Sequence, residues 1–226
     1  MNIEQAIARG IDLMGLDVAG KAVGRLAAYV ALLARWNQAY NLTAVRRPED
    51  MVVRHILDSL SILPWLQGPR VLDVGSGAGL PGIPLAIVRP EWGFYLLDSN
   101  GKRTRFLTQA ITELGLTHSQ VLRCRVEDYR PGVEFDSVLS RAFASLIKMV
   151  TMAGRLCAPD GRLLAMKGVY PKDELVDLPS GYTVVGIYPL NVPGLPAERH
   201  LVHLVPTGRM AGEHPPRQVS GTVTTA

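Results

Sequence analysis

The sequence predicts an α/β fold: a seven-stranded, mostly parallel sheet with helices on both faces, preceded by a helical N-terminal extension. Three observations carry this. From Arg70 onward, apolar strand-like runs alternate with helix-like segments. The first run, Val71-Leu72-Asp73-Val74, passes directly into Gly75-Ser76-Gly77-Ala78-Gly79, with glycine at alternate positions. Nineteen residues after Gly79, a second run, Phe94-Tyr95-Leu96-Leu97, ends in Asp98. Strand, glycine turn, helix, strand, acid is the layout of a nucleotide-binding βαβ unit, in which the acid holds ribose hydroxyls.

Each element has its own signal. Val23, Leu26, Ala27, Val30, Leu33 and Ala34 recur at i, i+3, i+4, i+7 spacing, one face of a helix. Asn41-Leu42-Thr43 breaks that pattern and reads as a turn or functional loop. A second helix starts at Pro48, with Glu49 and Asp50 in its first turn, and stops before Pro64. Strands are expected near 70–74, 93–97, 120–124, 135–140, 162–167, 182–188 and 199–205, and helices over Ile83–Val88, Lys102–Leu114 and Ser145–Leu156. Gly115 and Pro159-Asp160-Gly161 are the stops of the last two helices. Residues 189–198 hold three prolines and no helical pattern, so the final two strands close the sheet antiparallel. The expected organisation is a helical extension over 1–66 packed on the core, an α/β core over 67–206, and a polar, Gly/Pro/Thr-rich disordered tail over 207–226.

Bulk properties narrow the function. The chain has 226 residues, 47% apolar and 19% charged, enough for a sizeable core. The apolar run around Ala27–Ala34 falls far short of the ~20 residues of a membrane span, and the N-terminus carries no secretory pattern. Cys124 and Cys157 have no metal-ligand spacing, so two reduced thiols, no metal and a cytoplasmic location are expected. The net charge is only +4, but basic residues cluster at Arg46-Arg47, Arg54-His55, Lys102-Arg103-Arg105, Arg123-Arg125 and Arg199-His200. Such clusters suit phosphate-facing sites and solvated helix faces alike.

The glycine loop selects its cofactor. A dinucleotide fingerprint requires glycine at position 80, where this chain has Leu80 followed by Pro81. Asp73, inside the preceding strand, would repel a pyrophosphate but suits the cationic amino-acid end of S-adenosylmethionine. Asp73, Gly75, Gly77, Gly79, Asp98 and Ser99 are therefore cofactor-site candidates. Val126-Glu127-Asp128 follows the third strand, where an acid and a backbone amide can read an adenine edge. Ser140-Arg141-Ala142-Phe143 follows the fourth, where a methyl acceptor would sit.

Several runs together resemble one family, the bacterial 16S rRNA guanine-N7 methyltransferases, once called glucose-inhibited division protein B. They are Trp36-Asn37-Gln38-Ala39-Tyr40-Asn41-Leu42-Thr43, Val53-Arg54-His55-Ile56-Leu57-Asp58-Ser59, Asp73 through Pro84, and Leu97-Asp98-Ser99 with Gly101-Lys102-Arg103. Ser140-Arg141-Ala142-Phe143-Ala144-Ser145, Lys167-Gly168 and Glu198-Arg199-His200-Leu201-Val202 complete the match. The resemblance implies a Rossmann-like class I S-adenosylmethionine-dependent methyltransferase that leaves S-adenosylhomocysteine as product. It implies that Gly75, Leu80, Val126, Glu127 and Arg141 contact the cofactor. The implied substrate is a guanine in the decoding-region loop of 16S rRNA, conventionally numbered 527, within the small ribosomal subunit. Loss of such enzymes is associated with low-level streptomycin resistance.

The chemistry fits by omission. Guanine N7 offers a lone pair and has no proton to remove, so in-line methyl transfer needs no general base. The chain lacks both the Asn/Asp-Pro-Pro-Tyr/Phe segment of exocyclic-amine methyltransferases and a Pro-Cys or Ser-Cys nucleophile. No side chain is assigned a chemical step; Arg141 and Phe143 are expected to position the acceptor, with Tyr40 a second stacking candidate. Asn41, Arg54, His55, Lys102, Arg103, Lys167, Arg199 and His200 are the expected RNA contacts of a monomeric enzyme. The rival readings are a methyltransferase for small molecules or proteins, a non-catalytic RNA-binding factor, and a dehydrogenase.

Overall fold

A computed structural model describes residues 2–141, 143, 145–176 and 178–207; the expected tail therefore lies, from residue 208, outside the described residues. Seven strands form one sheet in the order β3-β2-β1-β4-β5-β7-β6. They are β1 (Arg70–Val74), β2 (Gly93–Leu97), β3 (Ser119–Leu122), β4 (Phe135–Ser140), β5 (Cys157–Lys167), β6 (Tyr182–Pro189) and β7 (His200–Pro206). β1 to β5 run parallel, and β7 enters antiparallel between β5 and β6. Strand order reverses between β1 and β4, the switch point where open α/β sheets bind ligands.

The helices are α1 (Ile3–Leu13), α2 (Gly20–Tyr40), α3 (Pro48–Met51), α4 (Asp58–Leu60), α5 (Gly82–Val88), α6 (Gly101–Glu113) and α7 (Leu146–Ala153). α1 starts with a capping box: the Asn2 side chain accepts from Gln5 N–H, and the Gln5 side chain accepts from Asn2 N–H. Its apolar periodicity was too short to single it out in the sequence. α2 buries Leu26, Tyr29, Val30 and Leu33 in one apolar cluster with Leu96 of β2 and Phe106 of α6. Each such side chain contributes roughly 1.5–3 kcal/mol when fully buried, so the N-terminal helices are bound to the sheet by its own core. A second cluster, built around Phe135, Val138, Met149 and Leu163, fills the opposite face beneath α7.

Three expectations are corrected. The expected helix from Pro48 is not regular: Val52–Leu57 is π-helical between α3 and α4. β5 begins at Cys157 and runs through Pro159-Asp160-Gly161, where a turn was expected. Gly161 lies against β4 so closely that a Cβ there would meet the Phe135 carbonyl oxygen at 2.7 Å, so this glycine serves strand packing. α7 ends at Ala153 and gives way to a 3-10 turn over Gly154–Leu156.

Candidate active site at the carboxyl edge of the sheet

The glycine loop leaves β1 and crosses the end of β2. Gly75 N–H and Ser76 N–H both donate to the Leu97 carbonyl, at 2.8 and 3.0 Å. Gly75 and Gly77 have φ of +73° and +59°, conformations that glycine alone adopts without strain. A Cβ at Gly75 would meet nothing within 4 Å, and one at Gly77 only the Gly75 carbonyl, at 3.8 Å. Their open side is the space a ligand would take. Gly79 differs, since a Cβ there would strike Ile83 of α5; it serves packing. Leu80 is buried, with its N–H bonded to the Ser76 carbonyl at 2.9 Å.

Two carboxylates flank this loop. Asp98 Oδ2 accepts from Gly77 N–H at 3.0 Å and Oδ1 from Asn100 N–H at 2.8 Å, which fixes the acid beside the loop. Arg103 approaches Asp98 Oδ2 at 3.4 Å, so it pairs with this acid while staying half open to solvent. Asp73 Oδ2 accepts from Gly82 N–H at 3.0 Å at the start of α5, while Oδ1 is buried without a partner. Burial pushes the Asp73 carboxyl up to about 6, against the lowering influence of Gly82, Ser76 and Arg141. An orphaned buried carboxylate oxygen beside an open glycine loop fits the ammonium of S-adenosylmethionine. Val126 is buried at the head of a 3-10 turn (Val126–Asp128) held by Arg155, whose Nη2 donates to the Val126 and Tyr129 carbonyls at 2.7 and 2.8 Å. Glu127 and Ser99 are exposed at the same edge.

Beside this, past β4, a cleft of about 310 Å³ is lined by Val45, Arg54, His55, Asp58, Arg141, Met166, Lys167, Gly168 and Arg199. Its floor is the Asp58 carboxylate, 1% exposed. Oδ2 accepts from Arg141 Nη1 at 3.1 Å and Oδ1 from Arg199 Nε at 2.9 Å. Sequence reading gave Asp58 no role, although it lies in the Val53–Ser59 run, three residues after His55.

Several expected RNA contacts are placed differently. His55 is buried, with Nδ1 2.9 Å from the Arg54 carbonyl and Nε2 2.8 Å from Thr43 Oγ. A carbonyl only accepts, so Nδ1 carries the proton and Nε2 accepts from the Thr43 hydroxyl. Burial first, and Arg141 second, push His55 down to about 4. It is a neutral strut with both nitrogens engaged. Lys167 is also engaged: Nζ meets Glu174 Oε1 and Oε2 at 3.0 and 2.8 Å with the side chain 11% exposed, so its charge is compensated. Asn41, in the left-handed region at φ 51°, caps α2 and accepts from Arg46 Nη2 at 2.8 Å. Lys102 and Arg54 are exposed. His200 packs edge-on against Tyr170. Tyr40 stacks on Trp36 with centroids 5.1 Å apart, and Phe143 packs half-buried against the second apolar cluster.

Sequence reading also passed over two residues that build the site from a distance. Tyr29 of α2 donates its hydroxyl to the Ala78 carbonyl in the glycine loop. Asn37 holds the following turn, donating to the Val45 carbonyl and accepting from Thr43 N–H. Periodicity sets Tyr29 on the buried face with Leu26, Val30 and Leu33 but does not mark the partner of its hydroxyl; Asn37 stood inside the Trp36–Thr43 run. Among the described residues no helix is long and apolar enough to cross a membrane, and no group of three or more His, Cys, Asp or Glu is placed to hold a metal ion.

Known proteins resemble this chain in sequence and in fold. The family model described as rRNA small subunit methyltransferase G matches residues 23–202. A protein of Nitrosococcus oceani named ribosomal RNA small subunit methyltransferase G is 53% identical over 211 residues, covering 93% of this chain and 98% of its own. One of the same name from Klebsiella pneumoniae is 51% identical over 203 residues, covering 90% and 98%. Among solved structures, the O-methyltransferase TomG of Streptomyces achromogenes superposes with a TM-score of 0.58 at 16% identity, over 92% of this chain and all of that one; this is a likeness of fold. A model matching most of the chain, near-full-length relatives at about half identity and a sheet edge with an open glycine loop between two acids agree: the chain belongs to the rRNA small subunit methyltransferase G family and is a methyltransferase of the S-adenosylmethionine-dependent fold.

Proposed function

We propose that the chain transfers the methyl group of S-adenosylmethionine to N7 of a guanine in 16S rRNA, the one conventionally numbered 527. The observation that carries this is the cleft past β4, where Arg54, Arg141 and Arg199 gather next to the cofactor loop. Asp73, Gly75, Gly77 and Asp98 hold the cofactor, which supplies an electrophilic methyl on a sulfonium. Arg141, whose charge acts on Asp73, stands between the cofactor and the acceptor. Its cation disfavours a base that is becoming positive, so its role is to orient the guanine through O6 or N7 acceptors.

The groups that would signal other chemistry are inert. Burial raises Cys124, and it pushes Cys157, at the amino end of β5, up to about 12; a thiol so held is a poor nucleophile. N7 needs no base, and orientation of two bound reactants is worth about 7–11 kcal/mol. Because the major groove of A-form RNA is too narrow for side chains, the target guanine is read from a loop or splayed from its stack. The enzyme acts as a cytoplasmic monomer.

The test uses labelled S-adenosylmethionine with naked 16S rRNA, with small subunits, and with amino-acid and protein acceptors. Label in ribosomal RNA that becomes cleavable by borohydride and aniline reports N7-methylguanine. Absence of label from every ribosomal substrate would sink the proposal.

A further inference from the structure

We infer that Asp58 is the positioning residue of the acceptor cleft: a buried carboxylate that sets the angle of Arg141 and Arg199, without itself touching RNA or cofactor. The inference rests on the rRNA acceptor proposed above. Three observations carry it. The two carboxylate oxygens are divided between the two arginines, Oδ2 to Arg141 Nη1 at 3.1 Å and Oδ1 to Arg199 Nε at 2.9 Å. These contacts hold each guanidinium at one place while both side chains line the same cleft.

The backbone is arranged to the same end. In a regular helix Asp58 N–H would donate to the Arg54 carbonyl. In the π-helical turn it reaches back to the Val53 carbonyl and also to that of His55. The Arg54 carbonyl instead accepts from His55 Nδ1 at 2.9 Å and Arg141 Nη1 at 3.4 Å. Arg141 is thus gripped by a carboxylate and a carbonyl released by one irregular turn, and such turns concentrate at functional sites.

The sign of the charge also argues for geometry over affinity. Among the cleft-lining residues Asp58 is the one acid, with Arg54, Arg141, Lys167 and Arg199 as cations. An acid in the floor of a phosphate-binding cleft weakens attraction for RNA. Burying it is costly unless it is paired. Its presence is accounted for by what it does to two arginines that come from β4's end and the start of β7.

Asp58→Asn keeps the volume and removes the charge. The expected result is a folded enzyme that binds S-adenosylmethionine within about 3-fold of wild type, binds the ribosomal substrate equally or more tightly, and has a single-turnover methylation rate at least about 10-fold lower. In combination with Arg199→Gln the losses are expected to be less than additive, because both changes disable one unit. An unchanged rate in folded Asp58→Asn, strict additivity, or a parallel fall of unfolding midpoint and both affinities would each overturn the inference. If Asp58→Asn does not fold, Arg199→Lys keeps the charge and loses the Nε contact; a wild-type rate there also overturns it. Wild-type enzyme runs alongside. If it labels no ribosomal RNA, the acceptor assignment falls and takes this inference with it; if only the variant is unaffected, the inference falls alone.

Discussion

Asp73 and Asp98 sit at the ends of adjacent strands and meet different surroundings. Asp98 has donors on both oxygens, which fixes the carboxylate beside the glycine loop, where we propose that it holds the cofactor. We expect Asp98→Ala to weaken S-adenosylmethionine binding at least about 10-fold by calorimetry, since it removes charge-assisted hydrogen bonds. Lys102→Ala should leave that affinity unchanged and reduce the salt dependence of RNA binding by about one unit of slope. Equal effects of both changes on cofactor affinity would contradict the division of labour. Asp73 titrates in the folded state near 6, above the usual carboxylate value of 3.8, because it is buried. A folded-state pKa above the unfolded one means the folded protein binds more protons between those values, so Asp73 costs stability as pH rises from about 4 to about 6. The stability of the cofactor-free enzyme relative to Asp73→Asn is therefore expected to increase as pH falls through that window, read by denaturant unfolding. A difference that is flat in pH would show that Asp73 is not held neutral-leaning.

At the scale of elements, much was legible and the exceptions have physical causes. β1, β2, β4, β6 and β7, with α5 and α6, fall where apolar alternation and Gly115 put them. Those signals are local, because a strand or helix buries a face whose residues are close in sequence. Pro159-Asp160-Gly161 is turn chemistry by composition and survives as an irregularity inside β5, where the register with β4 passes from Phe135–Cys157 to Ser137–Arg162 without ending the strand. The π-helical turn over Val52–Leu57 has no mark in the apolar pattern, which reads as continuous helix there. Tyr29 is a tie between distant elements, joining α2 to the glycine loop through the Ala78 carbonyl. Tyr29→Phe leaves that buried carbonyl unpaired, which costs about 1–3 kcal/mol. A lower unfolding midpoint together with weaker S-adenosylmethionine binding is expected; loss of stability alone would mean the tie does not shape the loop.

For the molecule as a whole, the N-terminal helices and the sheet share one apolar cluster, in which Ile7, Leu26 and Leu33 pack with Leu96, Phe106 and Leu107. The α/β region 67–206 expressed alone is expected to lack cooperative unfolding, because its α5–α6 face would lie bare; a sharp thermal transition for that fragment would refute this. The same interlocking forms the site. The strand–glycine–acid pattern, the absence of a third fingerprint glycine and the basic clusters were readable in the chain, and they determined the α/β class and the cofactor reading. They could do so because a turn conformation and a strand end depend on immediate neighbours. Which charges work together was decided only in three dimensions. Asp58 meets Arg141 across 83 residues and Arg199 across 141, while His55 and Lys167, as basic in sequence as the others, are taken up by Thr43 and Glu174. A charge's role follows from its desolvation and its partner, and both are properties of the packed fold.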